Sequence, residues 1–567
     1  MALRRAHPAR LVSPLVAPRK TTGAEALVAQ LEELGVQVVF GIPGVHNLAI
    51  FDASRRSSIR TIVVRHEQTA GYAADGYARA TGRLGVCVTT TGPGAANAAA
   101  AMGEARASRS PVLHISTQVD SRILDGKTGR FSLHESPHQV ELMAAVCNWS
   151  ARVVRAEAIA SMVARAAHEA FAGRRGPAFL EIPHDLLSVP LARARRAVPA
   201  KPGTPKPRTA EIARAATKLN ASELPVVWAG GGVVSSGAEA ELVRVAELLD
   251  APVVTTFAGK GVISPDHPLA LSLPPHQPEV TRLISNADAL LAVGTDFDAM
   301  NTQGWRLPLP RPRVVINVEP EDLRRNYAAD VGVEADAKIA LESLAKQLDA
   351  RKPGAGARRV AQVRRAAFRG LRANPEFRQP FTFVERLRDA VPADAMVVAD
   401  MAVPGYWAAG YFPASAPRTF AYPLGWGTLG FALPASIGTA AAGKKTVVVC
   451  GDAGFLFAPG EIATAVQERL EIAIIVVNDR GYGMLRFDED ERFDERFAVD
   501  LATPDFTALA RSFGAKARKS SPEALDRDLL WALKQHGPAL LELDAAWVPP
   551  LTTSPRWPLK GKREARP

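Results

Sequence analysis

TVVVCGDAGFLFAPGEIATAVQERLEIAIIVVNDRGYG, residues 446–483, decides the fold. Thr446–Cys450 is a short β-branched run that ends in Gly451-Asp452-Ala453-Gly454. A helical stretch follows from about Pro459 to Leu470. A second apolar run, Ile472–Val477, then ends in Asn478-Asp479-Arg480-Gly481-Tyr482-Gly483. Strand, helix and strand make a βαβ unit, whose right-handed crossover lays two parallel strands side by side with their carboxyl ends together. Asp452 and Asp479 each stand just past such an end, so their carboxylates converge on the rim where α/β sheets bind ligands. A hard cation such as Mg²⁺ takes one or two carboxylates plus phosphate oxygens. Gly451 and Gly454 let backbone N–H groups approach those phosphates. The plainer reading, two Asp/Gly turns that happen to follow strands, stays open for this unit alone.

The same alternation runs outward along the chain. A first block, 21–190, has strand-like Gln37–Phe40, Thr61–Val64, Gly85–Thr90 and Ala178–Ile182, with helices over Glu67–Thr81 and Gly94–Ala107. A second block, 209–349, has apolar strands at Pro225–Ala229, Pro252–Thr256, Leu290–Val293 and Val314–Val318. The third, 380–548, adds Met396–Ala399 and Ala539–Leu543. Residues 191–208 and 350–379 are read as linkers and 549–567 as a tail. Apolar strands with helical crossovers predict three doubly wound parallel-sheet domains of the α/β class.

A net charge of +11 raises nucleic-acid binding, but its distribution argues against it. Residues 1–20 carry +5, residues 351–379 carry +8 and the stretch from Arg556 carries +4, which leaves the rest near −6. The surplus is thus assigned to a terminus, a linker and a tail, with neither nucleic acid nor membrane as partner. No apolar run reaches the roughly 18 residues of a membrane span, and residues 1–20 lack a secretory core and are read as a disordered extension. Cys87, Cys147 and Cys450 lack metal-ligand spacing and are read as buried free thiols of a reducing, cytoplasmic compartment.

Two motifs fail. Gly425-Trp426-Gly427-Thr428-Leu429-Gly430 matches a dinucleotide fingerprint but follows no strand and precedes no well-placed acid. GTAAAGKK (438–445) runs helix-then-strand and lacks the Ser/Thr of a P-loop. In the first block, Arg65-His66-Glu67 ends a strand and opens a helix with a face of small residues. Gly92-Pro93-Gly94 and Asn97 follow the next strand.

Eight segments carry a resemblance: VFGIPG (39–44), RHEQTAGYAADGYARATG (65–82), TGPGAAN (91–97), GPAFLEIPHDLL (176–187), WAGGG (228–232), GWGTLGFALPASIG (425–438), GDAGF (451–455) and NDRGYG (478–483). Together and in this order they resemble the acetolactate synthase and pyruvate decarboxylase group of thiamine-diphosphate enzymes. GIPGVHN and the LHE at 133–135 are closest to acetolactate synthase-like and 2-ketoarginine decarboxylase-like members.

The resemblance implies decarboxylation of a 2-oxo acid, with transfer of the acyl unit to a carbonyl acceptor or a proton. It implies thiamine diphosphate and Mg²⁺, with FAD in the middle domain left open, and a homodimer or homotetramer whose first and third domains meet across subunits. Glu67 would hydrogen-bond the aminopyrimidine ring, near Gly92 and Asn97. Gly427 would offer its carbonyl to the 4′-amino group, and Leu429 would prop the cofactor in its bent shape. Met401, Ala402 and Val403 would line the diphosphate with Gly451, Ala453 and Gly454. Asp452, Asp479 and the Gly481 carbonyl would bind the metal. Met484 and Leu485 would face the substrate, and the charged 486–496 segment would be a lid. His46, Gln118 and His134 are the candidates on the substrate side. Val45 and Gln118 favour ligation, His46 and His134 could supply a proton instead, and the reading leans to ligation. The alternatives are a simple 2-oxo acid decarboxylase, a lyase for 2-hydroxyacyl or oxalyl thioesters, and a non-catalytic scaffold.

Overall fold

The structure, a computed structural model, describes residues 21–124, 132–192, 197–198 and 203–551. The expected N-terminal extension and most of the tail lie outside them. The chain forms three parallel sheets flanked by helices, the α/β architecture expected. The first sheet holds β1 (Val38–Gly41), β2 (Arg60–Val63), β3 (Gly85–Thr89), β4 (Val112–Gln118), β5 (Trp149–Arg152) and β6 (Ala178–Pro183) in the order β2-β1-β3-β4-β6-β5. Thr21–Thr22 pairs antiparallel with Pro190–Leu191, tying the two ends of this block together. The second sheet holds β7 (Pro225–Ala229), β8 (Val253–Thr255), β9 (Ala289–Val293), β10 (Arg313–Asn317) and β11 (Val331–Glu334), ordered β8-β7-β9-β10-β11. The third holds β12 (Met396–Ala399), β13 (Phe420–Ala421), β14 (Thr446–Gly451), β15 (Ile472–Asn478), β16 (Lys516–Ser520) and β17 (Ala539–Asp544), ordered β13-β12-β14-β15-β17-β16.

Every residue of β14 and β15 is buried, as a sheet covered on both faces requires. Their register sets Gly451 opposite Val477, so Asp452 and Asp479 leave the sheet side by side.

The first and third domains share one core, in which Tyr72, Ala73 and Ala74 pack with Phe431, Leu433 and Ala435. The helix Glu67–Thr81 lies directly on the helix Ala432–Ala441, which explains its small-residue face. A Cβ added at Gly76 would come within 2.1 Å of the Ala435 carbonyl oxygen, and one at Gly438 within 1.8 Å of the Ala73 carbonyl oxygen. Gly438→Ala is therefore expected to cost about 1–3 kcal/mol through overpacking. Gly370→Ala, whose Cβ would meet nothing within 4 Å, is expected to gain up to about 1 kcal/mol from helix propensity. Thermal unfolding of both variants checks the pair.

Two expectations need correction. The basic linker at 350–379 is largely helical: it includes the helix Ala355–Ala373 and the start of the helix Pro375–Ala390. Val360, Ala367 and Leu371 pack into the core while Arg358, Arg365 and Arg369 stay exposed, so part of the basic surplus does lie on a folded face. β4 is a central strand that hydropathy passes over, because four of its seven residues, His114, Ser116, Thr117 and Gln118, are polar.

No described helix is long and apolar enough to cross a membrane. The three cysteines are buried and unpaired.

Candidate active site

Asp452 follows β14, is 1% exposed, and accepts hydrogen bonds from the backbone N–H of Ala453 at 2.7 Å and of Gly481 at 2.9 Å. Asp479 follows β15 and is partly buried, close enough to Asp452 for the two charges to interact. Burial pushes the carboxyl group of each above its ordinary range, and the Asp452 charge raises Asp479 further. One Asp479 carboxylate oxygen is buried with no hydrogen-bond partner. A buried and a partly buried carboxylate side by side, one with an oxygen that accepts no hydrogen bond and lies 4.0 Å from the Arg486 guanidinium, form a donor set suited to a divalent cation. Among the described residues no three His, Cys, Asp or Glu side chains converge at metal spacing, so further ligands would be backbone, phosphate or water oxygens. Gly481 is confined from both sides, since a Cβ there would meet the Val499 carbonyl oxygen and the Arg486 guanidinium at 2.3 Å.

Several of the remaining candidates of the third domain lie close to one another. The Ala402 Cβ lies 3.1 Å from where a Gly451 Cβ would sit, and Val403 and an Asp479 oxygen both face Gly483. Met401 reaches to 3.5 Å from a Cβ built on Gly427, whose φ of +73° suits glycine. Leu429 is half-buried. Met484 packs against the core beside half-exposed Leu485, and the expected lid is the helix Gly483–Arg492 followed by a non-helical stretch.

Asp400 went unnoticed in the sequence. It is 1% exposed, follows β12, and accepts backbone hydrogen bonds from Met401 at 2.8 Å and from Phe431 and Ala432 at 3.4 Å. Burial pushes its carboxyl group up to about 6. Its oxygen also lies 3.0 Å from a Cβ built on Gly454, so it knits three of the loops together. The signal was available: Asp400 is a third aspartate standing directly after an apolar strand, like Asp452 and Asp479.

The first domain forms a second cluster. His66 caps the helix Glu67–Thr81 by accepting from the Gln68 N–H at 3.2 Å, which fixes Glu67 at the helix start. Glu67 accepts from the Asn97 amide at 3.0 Å, and its other oxygen is 3.5 Å from a Cβ built on Gly94. Gly92, with φ +64°, donates its N–H to Gln139 at 2.7 Å. Gln118 is fully buried: its amide donates to the Ser136 carbonyl at 2.7 Å and to Glu181 at 3.0 Å, committing both N–H groups within the chain.

His46 lies 5.5 Å from His134 and 5.1 Å from His184, ring centre to ring centre. Burial first, then its two histidine neighbours, depresses its pKa below the usual imidazole value. His184 is a residue that sequence reasoning missed. It sits 138 positions from His46 in the chain, and only the sheet order brings them together. Val45, beside His46, is apolar and 72% exposed. Among the described residues no hydrogen bond or ion pair joins Glu67 to Asp452 or Asp479.

In the middle domain Gly230, Gly232 and Gly259 are taken up by backbone packing. A Cβ on each would lie 2.2–2.5 Å from Gly294 or Ala229.

Comparison with known proteins places this geometry. Residues 21–144 match the thiamine pyrophosphate enzyme N-terminal TPP binding domain, 212–344 the central domain, and 400–543 the C-terminal TPP binding domain. A protein described as "Probable 2-ketoarginine decarboxylase AruI" from Pseudomonas aeruginosa is 38% identical, the match covering 93% of this chain and 94% of that one. A probable acetolactate synthase large subunit from Methanocaldococcus jannaschii is 32% identical, covering 92% and 91%. The acetolactate synthase large subunit IlvB1 of Mycobacterium tuberculosis is also 32% identical, covering 88% and 84%. The fold, the two carboxylates after adjacent parallel strands and these full-length similarities agree, and the chain belongs to the thiamine pyrophosphate enzyme family.

Proposed function

We propose that the chain decarboxylates a 2-oxo acid with thiamine diphosphate and Mg²⁺, delivering the acyl unit to a carbonyl acceptor or to a proton. The observation that carries this reading is the Asp452–Asp479 pair, a buried and a partly buried carboxylate leaving adjacent parallel strands, one with a buried oxygen that accepts no hydrogen bond. When bound, thiamine diphosphate supplies a nucleophilic carbon and an electron sink for the bond broken beside the carbonyl. Asp452, Asp479 and the Gly481 carbonyl would hold the metal, and Gly451, Ala453, Gly454 and Met401–Val403 would border the diphosphate. Glu67, which accepts a hydrogen bond from Asn97, would hold a proton for the pyrimidine ring, the Gly427 carbonyl would accept from its amino group, and Leu429 would support it. Met484 and Leu485 face the substrate.

Glu67 is only half-buried and has no bond to the metal-site residues of its own chain. Assembly as a homodimer or homotetramer, with the first domain of one copy facing the third domain of another, is proposed on the family resemblance. For FAD the residues give no support: Gly230, Gly232 and Gly259 each face the backbone of Gly294 or Ala229. An absorption spectrum of the purified protein checks that point.

The fate of the acyl unit depends on proton supply. The apolar Val45 withholds a proton and favours ligation, whereas His46, His134 and His184 form a cluster able to give one. A tenfold change in product ratio needs only about 1.4 kcal/mol of barrier difference. Product analysis with pyruvate and with a longer 2-oxo acid, each with and without added aldehyde, tests the reading, and ligated product is expected when aldehyde is present. His134→Ala is expected to raise the ratio of ligated product to free aldehyde about tenfold. An unchanged ratio removes His134 from proton delivery.

A further inference from the structure

The loop that carries Gly427 and Leu429 is held from outside its own domain. Arg79, in the last turn of the helix Glu67–Thr81, donates to Asp75 at 2.9 and 2.7 Å, to Glu104 at 3.0 Å and to the Tyr422 carbonyl at 3.0 Å. Its guanidinium also lies 4.8 Å over the Phe431 ring. Asp75 and Glu104 are fully buried. Glu104 accepts from Ser108 at 2.7 Å and from Thr428 at 3.4 Å, the latter being the residue between Trp426-Gly427 and Leu429. Small residues of the helix Pro93–Ala107 receive the rest of the loop. A Cβ on Gly103 would fall 2.8 Å from the Trp426 ring, and one on Gly425 would fall 2.5 Å from the Ala107 Cβ.

These contacts fasten the loop at Tyr422, Gly425, Trp426, Thr428 and Phe431, on both sides of Gly427 and Leu429. Buried charges joined by two-pronged hydrogen bonds have one low-energy arrangement, and an arginine held this way cannot be replaced by lysine without losing a prong. The same two helices open with Glu67 and carry Asn97 in their second turn. Glu67 and Arg79 are separated by 12 residues, about 18 Å of helix, so the loop contacts and Glu67 are spatially distinct.

We propose that Arg79 and Glu104, with Asp75, are positioning residues for the thiamine site: they clamp the 425–430 loop so that Gly427 and Leu429 are preset for the cofactor. The proposal rests on the thiamine reading of that loop. The rival role is plain domain packing, which would affect stability alone.

The test uses the full-length protein and the variants Glu104→Gln, Arg79→Lys and Gly103→Ala. Thiamine diphosphate binding in the presence of Mg²⁺ is measured by calorimetry, unfolding by heat, and Trp426 emission in the cofactor-free protein by difference against Trp426→Phe, because the chain has 8 tryptophans. Each variant is expected to weaken cofactor binding roughly tenfold or more, the scale seen when a group supporting a direct ligand is lost. Each is also expected to shift Trp426 emission. Gly103→Ala leaves the charged cluster intact and displaces only the indole, so it decides the matter if the charge variants fail to fold. Folded variants that bind the cofactor with wild-type affinity and show unchanged Trp426 emission overturn the clamp. Wild-type protein that fails to bind thiamine diphosphate at all overturns the site reading instead, and the two failures are thereby distinguished.

Discussion

Glu67→Gln is expected to lower turnover by about a hundredfold or more, in line with the 10²–10⁴ range of general acid–base contributions. Folding and cofactor affinity should stay near wild type. The geometry explains this separation. Glu67 heads its helix outside the packed core, and its hydrogen bond from Asn97 at 3.0 Å has a carbonyl oxygen as acceptor in glutamine too. The substitution keeps the shape and the bond while removing the ability to hold a proton. Steady-state turnover at saturating cofactor, with calorimetry and thermal unfolding alongside, checks it. Wild-type turnover in a folded variant would remove Glu67 from catalysis.

Asp452→Ala is expected to act on the other half of the site. It removes the acceptor for the Ala453 and Gly481 N–H groups together with one of the two metal carboxylates. Cofactor affinity in Mg²⁺ should fall by about a hundredfold or more, since groups standing behind a metal ligand already cost 10–100-fold. Asp479→Asn, which keeps a side-chain oxygen, should cost far less. The ordering of the two variants in a calorimetric titration is the informative result, and equal affinities in both would sink the metal assignment.

The parts of this molecule legible in sequence were those whose physics is local. β14, β15 and the helix Glu67–Thr81 are dictated by apolar runs, glycine turns and a strand-to-helix junction at Arg65-His66-Glu67, all visible within a few residues. β4 was missed because burial of its polar residues depends on partners elsewhere: His114 meets Thr89 at 2.8 Å, and Gln118 meets Glu181. The helix Ala355–Ala373 was read as a linker because its arginines outweigh the sparse apolar positions that seat it. Site residues followed the same division. The position of Asp452 and Asp479 followed from a single βαβ unit, whereas the meeting of His46 with His184 follows from sheet order and that of Arg79 with Tyr422 from domain packing. Gln118 shows a further limit, since its type and place were evident but not that both its N–H groups were already committed.

The most direct measurement is CO₂ release from a panel of 2-oxo acids by the purified protein, with thiamine diphosphate and Mg²⁺ added singly and together. The expected result is release from at least one 2-oxo acid that requires both additions and disappears in Asp452→Ala. Undiminished release when cofactor and metal are stripped away, or none from any 2-oxo acid by protein shown to bind both, would contradict the account.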